Sequence, residues 1–305
     1  MAWPNETSVA TGTTTGGTAW RSARVQPNGS ADRATVCAPI SLADGVAIKL
    51  VIGTHGTGGS DATMDSGNGK AIRDALLDAG YVVVAGQLGI NTWGNAESMT
   101  HLANLYSWCA SLWNVTDTFM FGQSQGGGVV MTAARRKAIP TLRAVAAVAP
   151  ALNFQWVSDS GSSSADIRAA YGATAGTFAA QSAAHAPLAG TPDDYLGMHF
   201  KFWASNEDTT TPKPQHADKF VGQGLDYRTA STQIVTVTGA HLSVDHYNPT
   251  AVVEFFDYAL RTGNVEQLHP VSPSGAKVRV GGGWVDAAVK VRVGGVWVDA
   301  VMLPR

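Results

Sequence analysis

Gly122-Gln123-Ser124-Gln125-Gly126-Gly127 follows the short apolar run 118–121 and precedes a helix-patterned segment, 126–137. G-x-S-x-G in that setting is a sharp strand-to-helix turn that raises a serine above a sheet edge. The turn is tight, so glycine at the flanking positions avoids collision with the adjacent strand and helix. Ser124 is therefore the candidate nucleophile. It stands at a helix N-terminus, where the N–H of Gln125 can face developing negative charge. The competing reading is a glycine-rich turn with an incidental serine. The strand before it and the helix after it favour the nucleophile.

Around this turn the chain alternates between two patterns. Short apolar runs at 48–53, 81–85, 118–121, 142–148, 200–204 and 233–237 read as strands. They do not alternate with polar residues, so both faces are expected to be covered, as in a parallel sheet. Helical patterns at 69–79, 99–112, 126–137 and 251–261 lie among them. Strands alternating with helices predict an open, mostly parallel α/β sheet with right-handed crossovers. Residues 19–27 and 33–39 read as shorter strands around the turn Pro27-Asn28-Gly29-Ser30. Residues 4–18, rich in Thr, Ser, Gly and Asn, read as an extended or loop-like arm. Residues 155–195, rich in Ala, Ser and Gly, break the rhythm between two strands. Their place predicts an inserted cap over the C-terminal edge of the sheet, helical near 165–171.

Three further stretches suit acyl transfer. Thr54-His55-Gly56-Thr57-Gly58-Gly59-Ser60 follows an earlier buried strand. A glycine-rich loop there lets a second backbone N–H approach a substrate carbonyl, opposite that of Gln125. Thr57 is the preferred donor and Gly56 the alternative. His55 is expected to tether the loop. As a base it is disfavoured, because it precedes the nucleophile in a fold whose order is Ser, acid, His. A phosphate site is disfavoured too, since no Lys-Ser/Thr follows the glycines. Strand 233–237 runs into Thr238-Gly239-Ala240-His241, placing His241 where a base reaches a serine above the same edge. His246 competes, but lies nearer the helix that begins near Asn248. The acid is expected in Ser205-Asn206-Glu207-Asp208-Thr209-Thr210-Thr211-Pro212. Asp208 is preferred and Glu207 is the alternative, whereas Asp193, Asp194 and Asp218 read as solvated surface groups.

His55-Gly56, Gly122-Gln123-Ser124-Gln125-Gly126, Asp208 and His241, in that order, make residues of about 19–265 resemble the α/β-hydrolase superfamily. The resemblance implies an α/β-hydrolase fold and a serine esterase that needs no metal or organic cofactor. It assigns Ser124 as nucleophile, His241 as base and Asp208 as acid, with Gln125 and Thr57 or Gly56 at the oxyanion. Peptidase or amidase chemistry would use the same triad. The His-Gly-Thr-Gly-Gly loop looks like that of polyester depolymerases and feruloyl or acetyl-xylan esterases. Gln123 departs from the His, Asp or Tyr often found before the serine.

The end of the chain carries a separate pattern. Lys277-Val278-Arg279-Val280-Gly281-Gly282-Gly283-Trp284-Val285-Asp286-Ala287 recurs 13 residues later as Lys290-Val291-Arg292-Val293-Gly294-Gly295-Val296-Trp297-Val298-Asp299-Ala300. Each copy reads as a β-hairpin with a Gly-Gly turn. The repeat predicts a separate module at 277–305, joined by a linker at 269–276 to a hydrolase domain at 1–268. Two hairpins bury little alone, so self-association or a partner is expected to complete them. The repeats resemble the terminal repeats of minor tail proteins in phages of actinobacteria. That resemblance implies a virion tail location, other tail proteins as partners, and acylated host envelope glycan or lipid as substrate.

Composition narrows the remaining classes. Of 305 residues, 45% are hydrophobic and only 14% charged, against about 25% charged in an average protein. Lys plus Arg number 21 and Asp plus Glu 23, for a net charge of −2. That argues against nucleic-acid binding through a basic face. No apolar run is long enough to span a membrane. Met1-Ala2-Trp3-Pro4-Asn5-Glu6-Thr7 has neither the basic nor the apolar region of a secretory signal. Cys37 and Cys109 exclude a disulfide scaffold and a cysteine-only zinc site; both read as small buried hydrophobes, with one bridge left open. Two rival readings stand beside the esterase: a non-catalytic tail adhesin or structural subunit with a retained hydrolase fold, and carbohydrate binding through Trp93, Trp156 and Trp203. Trp108 and Trp113 read as core.

Overall fold

The computed structural model describes residues 2–27 and 32–263, together with four short strands beyond them. Nine strands form one sheet: β1 (Thr7–Thr13), β2 (Ala19–Val25), β3 (Ala34–Pro39), β4 (Ala47–Thr54), β5 (Tyr81–Gly86), β6 (Asn114–Gln123), β7 (Leu142–Val148), β8 (His199–Ser205) and β9 (Ser231–Val237). Their order is β1-β2-β3-β5-β4-β6-β7-β8-β9. The six strands from β5 to β9 in this order are parallel, and β1, β2 and β3 are antiparallel to their neighbours. This is the expected mostly parallel α/β sheet.

Eight helices accompany the sheet: α1 (Gly67–Asp78), α2 (Ala96–Leu112), α3 (Gln125–Arg135), α4 (Phe154–Ser160), α5 (Ser164–Ala170), α6 (Phe178–Ser182), α7 (Ala217–Gly222) and α8 (Pro249–Thr262). The central strands are apolar over most of their length because successive side chains enter different cores. Leu50, Ile52, Val82, Val84, Met120 and Val145 pack with α2 and α3 on one face. Val51, Val83, Phe119, Phe121 and Val148 pack with α1 and α8 on the other. Local signals set the helix ends. The Asn95 side chain accepts the Ser98 N–H at the start of α2. The Asn248 side chain accepts the Ala251 N–H ahead of Pro249, and Gly263 closes α8 at φ 67.

The stretch 4–18 is not a free arm. It contains β1, which pairs with β2 from Thr13↔Ala19 to Thr7↔Arg24 across an irregularity. Its side chains are mostly exposed because it is an edge strand, so no apolar alternation announces it; the β-branched threonines are its signal. Residues 155–195 carry α4, α5 and α6, and Phe154, Val157, Ile167 and Phe178 form a small core of their own with Trp93. Cys37 and Cys109 are free and buried in the cores on opposite faces, so no bridge joins them. Burial pushes the Cys37 thiol up to about 12. Trp108 and Trp113 are core residues, as read. No helix among the described residues is long and apolar enough to cross a membrane.

Beyond residue 263, β10 (Lys277–Val280) pairs antiparallel with β11 (Gly283–Asp286), and β12 (Lys290–Val293) with β13 (Val296–Asp299). The register is the same in both, with Lys277 opposite Asp286 and Lys290 opposite Asp299. The expected turn at Asn28-Gly29-Ser30, the linker 269–276 and both Gly-Gly turns lie outside the described residues.

The sheet order reverses direction between β4 and β6. From β4 the chain crosses to β5; from β6 it continues to β7 on the other side. The loops leaving β4 and β6 therefore diverge and leave a crevice at their C-terminal ends. The two backbones nearly touch there. A Cβ on Gly126 would lie 2.5 Å from the carbonyl oxygens of both Thr54 and His55. A Cβ on Gly122 would lie 2.5 Å from the Gly126 carbonyl oxygen. The Thr54 hydroxyl donates to that same oxygen at 2.9 Å. Gly126→Ala is expected to force these segments apart and to lower unfolding stability by about 1–3 kcal/mol, the usual cost of overpacking. Urea denaturation checks this; an unchanged midpoint would show that the contact yields freely.

Candidate active site

β6 ends at Gln123 and α3 begins at Gln125, leaving Ser124 alone at the turn with φ 52 and ψ −117. A non-glycine residue held there stores about 1–3 kcal/mol of strain. The turn is over-determined. The Ser124 N–H donates to Val148 O at 3.0 Å, and Ser124 O accepts the N–H groups of Gly127 and Ala151 at 2.9 Å each.

His241 lies in the loop after β9. Its Nε2 is 2.8 Å from Ser124 Oγ and its Nδ1 is 2.8 Å from Asp208 Oδ2. A carboxylate only accepts, so Nδ1–H donates to Asp208 and Nε2 is left to accept the serine hydroxyl. Asp208 is buried, 1% exposed. Its Oδ1 accepts the N–H groups of Thr210 and Thr211 at 2.8 and 2.9 Å, and Oδ2 also accepts the Thr211 hydroxyl at 2.8 Å. Burial alone would raise its pKa. The bonds from His241 and from the Thr211 backbone and hydroxyl more than offset this and hold the carboxyl well below the usual carboxylate range.

The remaining candidates fall into distinct places. Gly56 and Thr57 line the same cleft as Ser124, and the N–H groups of Gly56, Thr57 and Gln125 donate to no protein acceptor among the described residues. His55 points away from the serine, with Nδ1 2.7 Å from Gly56 O and Nε2 2.9 Å from Gln87 O. His246 is buried and bonds Ser243 Oγ at 3.1 Å. Glu207 does not reach His241; it accepts the Gly239 N–H at 2.8 Å and so anchors the loop that carries His241. Asp193 pairs with Arg228, Asp194 with Arg135 and Asp218 with Lys213, all at the surface.

The cleft measures about 260 Å³. Buried Trp93, Ala151 and Val157 make its apolar wall, and the hydroxyls of Thr57, Ser162, Ser163 and Thr210 line the rest. Val157, Ser162 and Ser163 come from the 155–195 insertion. Trp203 is a correction to the carbohydrate reading: it is 2% exposed inside the core beneath α8, with no face free to stack on a sugar. Trp93 is equally buried, edge-on to Phe154, and Trp156 is edge-on to His216.

Sequence reasoning passed over three supports of this site. Thr211 Oγ1 sits between Asp208 Oδ2, at 2.8 Å, and His241 Nδ1, at 3.2 Å. The run of threonines after Asp208 carried that signal, as an aspartate that bonds the backbone two and three residues on. Gln123 accepts the Tyr247 hydroxyl at 2.6 Å and donates to Thr63 at 2.8 Å, tying the loop after β9 to the segment before α1. His216, a lone histidine in sequence, accepts the N–H groups of Leu152 and Asn153 on Nδ1, both at 3.0 Å. It therefore secures the segment that leads from β7 into α4.

No family model and no curated protein sequence matches the chain. Solved structures match it in fold. Est1E from Butyrivibrio proteoclasticus superposes with a TM-score of 0.54 at 16% identity, over 84% of this chain and 100% of that one. A fungal esterase from Rhizomucor miehei gives 0.56 at 15% identity, over 85% and 87%. A prolyl endopeptidase gives 0.56 at 18% identity, over 83% of this chain and 38% of its own. The chain has an α/β-hydrolase fold.

His216 makes a testable contribution to stability. Burial, the largest influence, lowers its pKa from 6.5 to about 3, so the folded protein keeps it neutral. Between those values the unfolded chain binds a proton that the folded chain refuses. Stability is full above about 6.5 and falls as pH drops towards about 3. At about 1.4 kcal/mol per pKa unit the loss amounts to several kcal/mol. Burial also lowers His185, His199 and His246, which add slope of the same sign. His216→Gln is expected to remove its share, so the stability gap between variant and parent narrows from pH 7 to pH 4 in urea titrations. A gap that does not change with pH would contradict a neutral buried His216.

Proposed function

We propose that this chain is a serine hydrolase that cleaves carboxylic esters through an acyl-enzyme. One observation carries the reading: the Ser124–His241–Asp208 chain of 2.8 Å contacts, with Ser124 and His241 lining one cleft. His241 Nε2 takes the Ser124 proton as Oγ attacks the ester carbonyl. Negative charge then develops on the carbonyl oxygen and is met by the N–H of Gln125 and that of Thr57 or Gly56. The imidazolium formed is stabilised by Asp208, and it protonates the departing alcohol. Water, deprotonated by the same Nε2, attacks the acyl-enzyme; as the bond to Ser124 Oγ breaks, His241 returns the proton to Oγ and the acid leaves. No Asp, Glu, Lys or Arg side chain lines the cleft, which favours a neutral ester. Est1E has been solved with ferulic acid bound, which supports the feruloyl-esterase side of the loop resemblance. From the resemblance of the Val-Arg-Val-Gly-Gly repeats to phage tail repeats we propose a tail location and, with it, acylated host envelope material as the substrate. Esterases and a peptidase share the fold, so ester specificity rests on the loop resemblance.

A fluorophosphonate probe is expected to label the protein, and Ser124→Ala and His241→Ala are expected to abolish labelling. Asp208→Asn is expected to lower kcat on p-nitrophenyl acetate by about 10³–10⁴-fold with little change in KM, as when a triad histidine loses its tautomer partner. A folded, unlabelled parent protein that hydrolyses no ester would leave the adhesin reading in its place.

A further inference from the structure

We infer that the loop between β5 and α2, residues 87–95, positions both sides of the oxyanion hole, with Asn91 as its principal positioning residue. The inference rests on the reading of Gln125 and Thr57 as oxyanion donors.

Two hydrogen bonds and one histidine contact converge on this loop. Asn91 Oδ1 accepts the Gly58 N–H at 2.8 Å, directly beyond Thr57. Gln87 O lies 2.9 Å from His55 Nε2, and the other nitrogen of that ring is 2.7 Å from Gly56 O. Gly56 C=O and Thr57 N–H belong to one planar peptide group, so a tether on the oxygen also orients the N–H. Gly56 O accepts the Gly59 N–H at 2.9 Å as well, closing the turn. On the opposite side of Ser124, the buried Gln125 side chain donates from Nε2 to Ile90 O at 3.2 Å. Residues 87, 90 and 91 thus hold the two segments that supply the donors.

The loop is built to stay in place. Leu88, Gly89, Ile90, Trp93 and Gly94 all have positive φ, between 51° and 71°. Ile90 is β-branched and sits at φ 65, an outlier for that side chain. Such strain persists only where the surroundings over-determine it. Here the Asp32 carboxylate accepts the N–H groups of Leu88 and Gly89 at 3.0 and 3.3 Å, and the Thr92 hydroxyl donates to Leu88 O at 2.6 Å. The Tyr171 hydroxyl, at the end of α5, donates to Trp93 O at 2.9 Å. The loop therefore also joins the oxyanion side of the cleft to the insertion that walls it. A donor aimed in advance needs no reorganisation when charge develops, and this is where such a loop acts.

The test compares the parent with Asn91→Ala and Gln125→Met, the latter keeping volume while removing the bond to Ile90. The readouts are kcat and KM on p-nitrophenyl acetate and the second-order rate of fluorophosphonate labelling, whose phosphoryl oxygen uses the same donors. Removing a whole donor costs about 10²–10³-fold in kcat, so loss of its tether is expected to cost about 10–50-fold in kcat and in labelling rate. KM is expected to stay within about two-fold, because the interaction strengthens only in the transition state. Thermal melting shows whether each variant is folded. Parental kcat and labelling in both variants, or a change confined to KM, overturns the proposal while leaving the serine-hydrolase reading intact. An unlabelled parent overturns both.

Discussion

The backbone contact between the first turn of α3 and the end of β4 is the constraint on which the site depends. Gly126 presses against the carbonyl oxygens of Thr54 and His55 without room for a single carbon. That closeness goes with a sharp turn out of β6, at which Ser124 stands at φ 52. It also places the loop after β4 beside the N-terminus of α3, so that donors from two separate segments flank one serine. The strain is sustained by burial: residues 125–134 of α3 are all buried, an arrangement open only to a helix packed on every side.

A second layer of order is electrostatic. Asp208 is buried yet ionised, because backbone N–H groups, a hydroxyl and the imidazole all bond its two oxygens. His216 is kept neutral by burial, and its Nδ1 accepts two backbone N–H groups. Both groups are shifted downwards, but from opposite causes: burial keeps His216 neutral, whereas hydrogen bonds outweigh burial and keep Asp208 ionised. Both serve position: Asp208 orients the ring that faces Ser124, and His216 fixes the segment from which Ala151 bonds Ser124 O.

Much of this was legible in local pattern. The apolar run at 142–148 coincides with β7, and the serine turn falls where a strand hands over to a helix. Glycine at 122 and 126 marks the close approach in the sequence itself. Other features had no local voice. β1 is an exposed edge strand, paired on one side, and without apolar alternation only its β-branched threonines distinguish it from a loop. Trp203 stands among the tryptophans that could stack on sugars near a sheet edge, but the strand that holds it turns the ring into the core. Glu207 and Asp208 are adjacent in sequence and face opposite tasks, one bonding Gly239 N–H and the other His241.

Chain order and short-range chemistry were therefore enough for the fold class, the turn at Ser124 and a short roster of acids and bases. Spacing, glycine placement and apolar period are properties of neighbouring residues, and neighbours are what a sequence displays. Choosing within the roster belongs to the tertiary structure. His241 is 117 positions from Ser124 and 33 from Asp208, and only the packing of β6, β8 and β9 brings the three within hydrogen-bond reach. The same holds for the strained loop at 87–95, whose role depends on contacts with the segments after β4 and β6 that no local pattern encodes.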